Sequence, residues 1–130
     1  MISMATWLAD AANAALNALP ADQADSVREA IRSIPAERGE RVDFPGVTPP
    51  APFHAKEPTD PAAPVVIYRA TVPGERGEPG DLVVVGLMDH DVYRAARRAQ
   101  RGLIGESPTV RDAVNSVVAG TVSTFARGGR

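Results

Sequence analysis

The sequence predicts an α+β fold, in which an N-terminal helical hairpin packs on a small antiparallel sheet and helices form the C-terminal region. Residues 1–34 carry apolar side chains at the three- and four-residue spacing of helix faces. Two later stretches are short runs of β-branched and other apolar residues, typical of strands. We expect one domain, because 130 residues build one core. Its parts are the hairpin at 1–34, an irregular Pro-rich segment at 35–63, a β-hairpin at 64–88 and a helical region at 89–130.

The first 34 residues contain two predicted helices. The first begins at Trp7, has its apolar face on one side and ends before Pro20. The second covers about Asp22–Ile34. Because only a short turn separates them, an antiparallel hairpin is expected. Ile2–Thr6 fits either a short strand or the first turn of the first helix.

Residues 35–63 are the least regular part of the chain, since seven prolines fall within them. A segment of this length without a repeating pattern indicates a functional loop or an extended arm on the surface. Val42–Phe44 and Pro52–Lys56 are candidates for short edge strands.

The next stretch predicts a β-hairpin. Val65–Thr71 carries apolar residues on both faces, which places it near the middle of a sheet, and Leu82–Met88 is almost continuously apolar. Pro73–Gly80 is rich in turn formers and in charge, as expected for an exposed loop. The connection is too short for a crossover helix, so the pairing is antiparallel.

A basic amphipathic helix is expected after the hairpin, with Asp89 or Asp91 as its cap. Ser107 and Pro108 then predict the start of a last helix, which would turn valines inward as far as Phe125. Its β-branched residues make it intrinsically weak. It therefore needs packing against the fold or a partner.

Composition excludes several classes of protein. There is no cysteine, hence no disulfide, thiolate nucleophile or thiolate metal site. No apolar run approaches the roughly 18 residues of a membrane span, and no basic residue precedes the apolar start as in a signal peptide. We therefore expect a soluble, cytoplasmic protein without membrane contact.

Charge is divided unevenly along the chain. Residues 1–90 carry 7 basic and 13 acidic side chains, whereas residues 91–130 carry 7 basic and 3 acidic ones. The basic second part could meet a phosphate backbone or an acidic protein, or it could be an ordinary solvated surface.

Metal and cofactor chemistry is not expected. The sequence lacks a Gly-rich phosphate loop, an H-E-x-x-H pair and a G-x-S-x-G elbow. It has two histidines, His54 and His90, which makes a histidine-based metal site improbable. The acids on both sides of His90 are explained by helix capping.

The clearest polar pattern is an arginine stripe on the predicted basic helix. Four guanidinium groups on one helix face repel one another unless acids or an external polyanion neutralise them. The stripe therefore predicts either RNA or partner binding, or pairing with acids of the first ninety residues. Its members are Arg94, Arg97, Arg98 and Arg101.

A second candidate site combines Lys56, Arg69 and Tyr93 with Arg94. If these side chains converge on one sheet face, they offer cations for a phosphate and groups for acid–base catalysis. Tyr93 could also stack on a base. Alternatively, Tyr93 is an ordinary rim residue and Arg69 pairs with a carboxylate across the hairpin.

Two short motifs, VIYR at Val66–Arg69 and DVYR at Asp91–Arg94, together with the order of predicted elements, resemble the RelE/ParE-like toxins of type II toxin–antitoxin systems. Their usual plan is a first strand, a helical hairpin and an antiparallel meander that ends in a short helical segment. The resemblance covers roughly residues 2–94. It departs from the family in the acidic charge before residue 91, the Pro-rich segment and the extension after residue 101.

This resemblance implies a ribosome-dependent mRNA endonuclease that needs no metal, with a cognate antitoxin and the ribosome with its mRNA as partners. It implies Arg69 and Tyr93 as catalytic residues, with Lys56 and Arg94 as looser matches. A different class stays open: a non-enzymatic assembly or adaptor protein, such as a phage head–tail or tail component. Such a protein would bind copies of itself or other subunits through the Pro-rich arm and the C-terminal helix.

Overall fold

The structure of the chain is a computed structural model that describes residues 5–44, 51–73, 75, 80–100, 111, 112, 114, 115, 127 and 128. Within these ranges the fold is mixed α/β, with three helices and a five-stranded sheet that a two-residue strand extends. The elements are β1 Thr6–Leu8, α1 Asp10–Asn17, α2 Ala21–Ser33, β2 Glu40–Val42, β3 Phe53–Lys56, β4 Val65–Ala70, β5 Leu82–Met88, α3 His90–Gln100 and β6 Arg127–Gly128.

The first helix begins later than predicted. Trp7 lies in β1, and α1 starts at Asp10, whose carboxylate faces the positive end of the helix dipole. The predicted start at Trp7 is wrong because the backbone on either side of β1 is bonded to β5: Leu82 N–H donates to the Ala5 carbonyl and Ala9 N–H to the Val84 carbonyl, both at 3.0 Å.

The sheet is mixed rather than purely antiparallel, which corrects the prediction. Its strand order is β2-β3-β4-β5-β1-β6. Strands β2 to β5 form an antiparallel meander, as expected from their short connections. In contrast, β1 runs parallel to β5, with Trp7 opposite Val83. The start of the chain therefore lies inside the sheet instead of at its edge.

Both sheet faces are covered, which explains why β4 and β5 are apolar on both sides. One face, here called the helical face, packs against α1 and α2, and these helices follow one another after a three-residue connection. The other, here called the α3 face, packs against α3 and Val114. Residues that share the helical face include Val66, Tyr68, Leu82 and Val84, and those of the α3 face include Phe53, Ala55, Ile67, Val83 and Val85.

The Pro-rich segment contributes two strands to the sheet. β2 and β3 pair antiparallel, and β3 pairs in turn with β4. The predicted strand at Val42–Phe44 is shifted, since the pairing covers Glu40–Val42. The predicted strand at Pro52–Lys56 is confirmed to within one residue, but its predicted edge position is wrong because β2 pairs with its outer side.

The last predicted helix lies largely outside the described residues, as do Ser107, Pro108 and Phe125. Residues 111, 112, 114 and 115 are helical, and Val114 is 2% exposed. Among the helices that the structure describes, none combines the length and the apolar character needed to cross a membrane.

Gly39 is placed where the chain enters β2 against β3. A Cβ atom at this position would overlap the carbonyl oxygen of Ala55. We expect Gly39→Ala to destabilise the fold by about 1–3 kcal/mol, because backbone would have to move. Urea unfolding measures this free energy. Ala14→Ser on the exposed side of α1 is the control, with an expected change within about 0.5 kcal/mol; equal midpoints for both variants would contradict the close approach.

Candidate functional site

The three predicted catalytic residues do not converge. Lys56 pairs with Val66 and therefore lies on the helical face, whereas Arg69, opposite Val83, and Tyr93 lie on the α3 face. On that face Arg69 donates to Glu75, whereas Tyr93 accepts from Arg97. Arg69 is four residues, or about 13 Å, along β4 from the end where the chain turns into α3.

Arg69 is committed to a buried ion pair. Its Nη1 and Nη2 each donate to an oxygen of the Glu75 carboxylate at 2.7 Å, and the side chains are 3% and 11% exposed. Glu75 also accepts the Val72 N–H at 3.0 Å. The pair thus fixes the loop after β4. It links a strand to a loop residue, rather than crossing the hairpin as predicted.

A buried acid reinforces the same end of the sheet. Asp81 is 5% exposed; its two carboxylate oxygens accept the Ala5 N–H and the Trp7 Nε1–H, each at 3.0 Å. Thr71 N–H donates to the Asp81 carbonyl at 3.0 Å. These contacts join β1 to the start of β5. Arg69 and Asp81 therefore hold the sheet together at this end.

Lys56 has a structural partner on the helical face. Its Nζ donates to the Glu37 carbonyl at 3.1 Å and lies 3.5 Å from the Glu37 carboxylate. Beside it the rings of His54 and Tyr68 stack with centroids 5.5 Å apart, and the Tyr68 hydroxyl accepts the Gly39 N–H at 2.7 Å. Lys56 thereby ties β3 to the segment after α2.

A cluster of polar groups does form where α3 crosses the outer strands. We call Tyr93, Arg97 and His90 of α3, with Glu40 of β2 and Glu57 after β3, the α3 cluster. Arg97 Nη1 lies 3.4 Å from the Tyr93 hydroxyl, which accepts its hydrogen bond, and 3.7 Å from the Glu40 carboxylate. The guanidinium carbon is 5.9 Å from the centroid of the Tyr93 ring, in the range of a cation–π contact.

Burial controls the chemistry of Tyr93. Desolvation raises its pKa above the ordinary value for tyrosine, and Arg97 opposes this by favouring the phenolate. Glu40 and Glu57 add to the increase in pKa because their negative charges repel a phenolate. Tyr93 is therefore a neutral hydrogen-bond donor at neutral pH and a poor base.

His90 closes the cluster at the start of α3. Its Nδ1 lies 3.3 Å from a Glu57 carboxylate oxygen. Its Nε2 is buried, and no group of the described residues forms a hydrogen bond with it. A carboxylate at Nδ1 favours the tautomer that carries the proton there, which leaves a lone pair on Nε2.

The arginine stripe divides between internal acids and solvent. Arg97 is the inner member, 18% exposed and held by Glu40. Arg94 is 65% exposed and lies 3.6 Å from Asp91, and Arg98 is exposed. Arg101 lies outside the described residues. The predicted pairing with acids of the first ninety residues is thus seen for Arg97, and binding of RNA or a partner by the exposed members stays a prediction.

Two acids of the α3 cluster were missed from the sequence. Glu40 alternates with Val42 in a three-residue strand, and this alternation would have placed both on one face had the strand been assigned correctly. Glu57 follows the predicted edge strand, but nothing in its neighbours indicates His90 as its partner. No group of three or more metal-ligating side chains occurs in the described ranges.

Comparisons with protein-family models, with curated proteins and with solved structures find no match to this chain. The functional inference therefore rests on the order of the elements and on the contacts of the α3 cluster.

Removing the Glu75 carboxylate tests the role of Arg69. Glu75→Ala takes away the acid that faces a guanidinium with 3% exposure, so we expect a loss of about 3–5 kcal/mol in the free energy of unfolding. The matched control is Asp25→Ala, which breaks the exposed pair with Arg28 and should cost no more than about 0.5 kcal/mol. Similar urea midpoints for the two variants would show that the Arg69 pair is not structural.

Tyrosine burial predicts a loss of stability in alkali. The pKa values of Tyr68 and Tyr93 are both raised by desolvation in the folded chain, so the unfolded chain, with tyrosine pKa values of about 10, loses protons first. The contribution of these tyrosines to stability is therefore constant below about pH 10 and falls above it, by at most about 1.4 kcal/mol per pH unit for each tyrosine. Urea midpoints between pH 9 and 11.5 measure the decline, which should be shallower in Tyr93→Phe; an identical slope in that variant would be inconsistent with a raised pKa.

Proposed function

We propose that this chain is a RelE/ParE-like toxin of a type II toxin–antitoxin system, a cytoplasmic ribonuclease that cleaves mRNA on the ribosome. The observation that supports this best is the series of elements: β1, two helices, the antiparallel meander from β2 to β5, and then α3. This is the plan that the VIYR and DVYR motifs suggested. The support is an analogy of fold, to which the α3 cluster adds its chemistry.

In this proposal α1 and α2 form the antiparallel hairpin of the plan and cover the helical face. Three residues connect the helices, and both contribute apolar side chains to one cluster with Val66 and Val84. Because α3 and Val114 cover the opposite face, RNA would contact the exposed surface of α3 and the outer strands beside it.

The α3 cluster contains the groups that RNA cleavage needs. Arg97 supplies a guanidinium that can hold the scissile phosphate and stabilise its developing charge. Tyr93 keeps its proton because its pKa is raised, so it serves as a donor toward the phosphate or the leaving 5′-oxygen. The exposed Arg94 and Arg98 contact the RNA backbone.

The attacking 2′-hydroxyl must lose a proton, and the raised pKa of Tyr93 leaves His90 as the candidate base. Its Nε2 is buried, so this role requires the imidazole to turn outward at the first residue of α3. Arg69 and Lys56 take no part in the reaction in this proposal. Their contacts with Glu75 and Glu37 assign them to the framework.

The assembly-protein alternative assigned its contacts to the Pro-rich arm and the C-terminal helix. Within that arm residues 53–56 form β3, which pairs with β2 and β4 of the same chain. We therefore keep self-assembly as an outcome of the experiment rather than as a second proposal.

Induced expression of the full chain in a bacterial host tests the proposal. We expect growth arrest, and ribosome-dependent mRNA cleavage detected by primer extension. Tyr93→Phe should slow cleavage about 100-fold or more, as loss of an acid–base group does, and Arg97→Ala about 100- to 1,000-fold through lost charge stabilisation.

Arg28→Ala is the control, since it removes an exposed arginine of α2, on the other side of the sheet, and should leave cleavage unchanged. Arg69→Ala should act through unfolding, visible as a lower urea midpoint. Harmless expression of a folded protein that purifies as a ring or a stable oligomer would replace the toxin by the assembly protein.

A further inference from the structure

We propose that Glu40 and Glu57, here called the acid pair, compete with RNA phosphate for the α3 cluster and so keep its affinity for RNA low. This inference rests on the proposed function. It adds two residues that neither the sequence motifs nor the family plan assigned to the site.

Each carboxylate of the acid pair contacts a different side chain of α3. Glu40 reaches Arg97 from β2, with its carboxylate 3.7 Å from Nη1, and Glu57 reaches His90 from the end of β3, at 3.3 Å. Tyr93 lies between these contacts on α3. The two side chains proposed to act at the scissile phosphate and the 2′-hydroxyl, Arg97 and His90, are therefore already in contact with an internal anion.

The electrostatic effect of the acid pair extends to Tyr93. Both carboxylates raise the pKa of this tyrosine and so add negative potential at its hydroxyl, against the larger opposing effect of Arg97. A phosphate that approaches Arg97 meets the negative charge of both carboxylates. It is therefore repelled by Glu57 while it competes with Glu40.

Glu40 and Glu57 can move away from their partners on α3, unlike Glu75 in its buried ion pair with Arg69. The side chains of Glu40 and Glu57 are 74% and 61% exposed, whereas that of Glu75 is 11% exposed. A carboxylate that turns into water keeps its hydration, so displacement by phosphate costs little. The acid pair thus weakens RNA binding without preventing it.

Variants that replace an acid by the neutral glutamine test the inference through RNA binding, without cleavage. The probe is a single-stranded 2′-O-methyl RNA, which has no free 2′-hydroxyl to attack, and fluorescence anisotropy gives its Kd. We expect Glu40→Gln and Glu57→Gln each to bind about two- to fivefold more tightly than the unchanged chain, the range of an exposed ion pair. Glu40→Gln should also steepen the dependence of log Kd on log salt by about 0.7, as one phosphate contact is gained.

The control is Glu37→Gln, which changes net charge equally but lies beside Lys56 on the helical face; its Kd should not change. If the unchanged chain binds RNA and the three variants bind alike, the acid pair is overturned and the proposed function stands. If none of the four folded proteins binds RNA, the acid pair is overturned, and the ribosome-dependent cleavage assay decides the proposed function.

A measurement without RNA tests the geometry itself. Because Glu40 raises the pKa of Tyr93, the Glu40→Gln variant should ionise this tyrosine at lower pH in an ultraviolet absorbance titration, with Tyr93→Phe identifying its signal. An unchanged titration would overturn the acid pair whatever the RNA assay gives.

Discussion

The parallel pairing of β1 with β5 is the constraint on which the rest of the structure depends. It inserts the start of the chain next to the most buried strand, and Asp81 fixes it through the Ala5 N–H and the Trp7 indole. With β1 in this position, α1 and α2 cover one face before the meander begins. The other face is then closed by α3, which brings the cluster of Tyr93 and Arg97 against the outer strands.

Burial divides the ion pairs of this chain into two kinds. A guanidinium that is 3% exposed needs its carboxylate continuously, because desolvation of an uncompensated charge is costly. Such an arginine cannot release its partner for a substrate. Arg97 instead lies 3.7 Å from the exposed carboxylate of Glu40 and donates to the Arg41 carbonyl at 3.4 Å. The proposed exchange of a carboxylate for phosphate therefore concerns Arg97 and not Arg69.

Local sequence patterns were sufficient to predict the elements whose own residues carry a clear strand signal. β4 and β5 were predicted to within one residue because both faces are apolar and turn formers separate them. β1 shares only Thr6 with the short strand left open at Ile2–Thr6. Three residues with a distant parallel partner carry no signal of their own, and Trp7 fits the helical spacing of the residues after it. Glu75 lies in a loop, where no periodicity connects it to Arg69.

The predicted site and the α3 cluster differ in what must be known to place their residues together. Convergence of Lys56, Arg69 and Tyr93 required the register of several strand pairings and the placement of α3. A shift of one residue moves a side chain to the opposite face of a sheet; Ala55, next to Lys56, does lie on the α3 face. Tyr93 and Arg97 are four residues apart on one helix, so helix geometry alone makes them neighbours. A pair of this local kind is therefore a firmer basis for a functional site than residue types matched across strands.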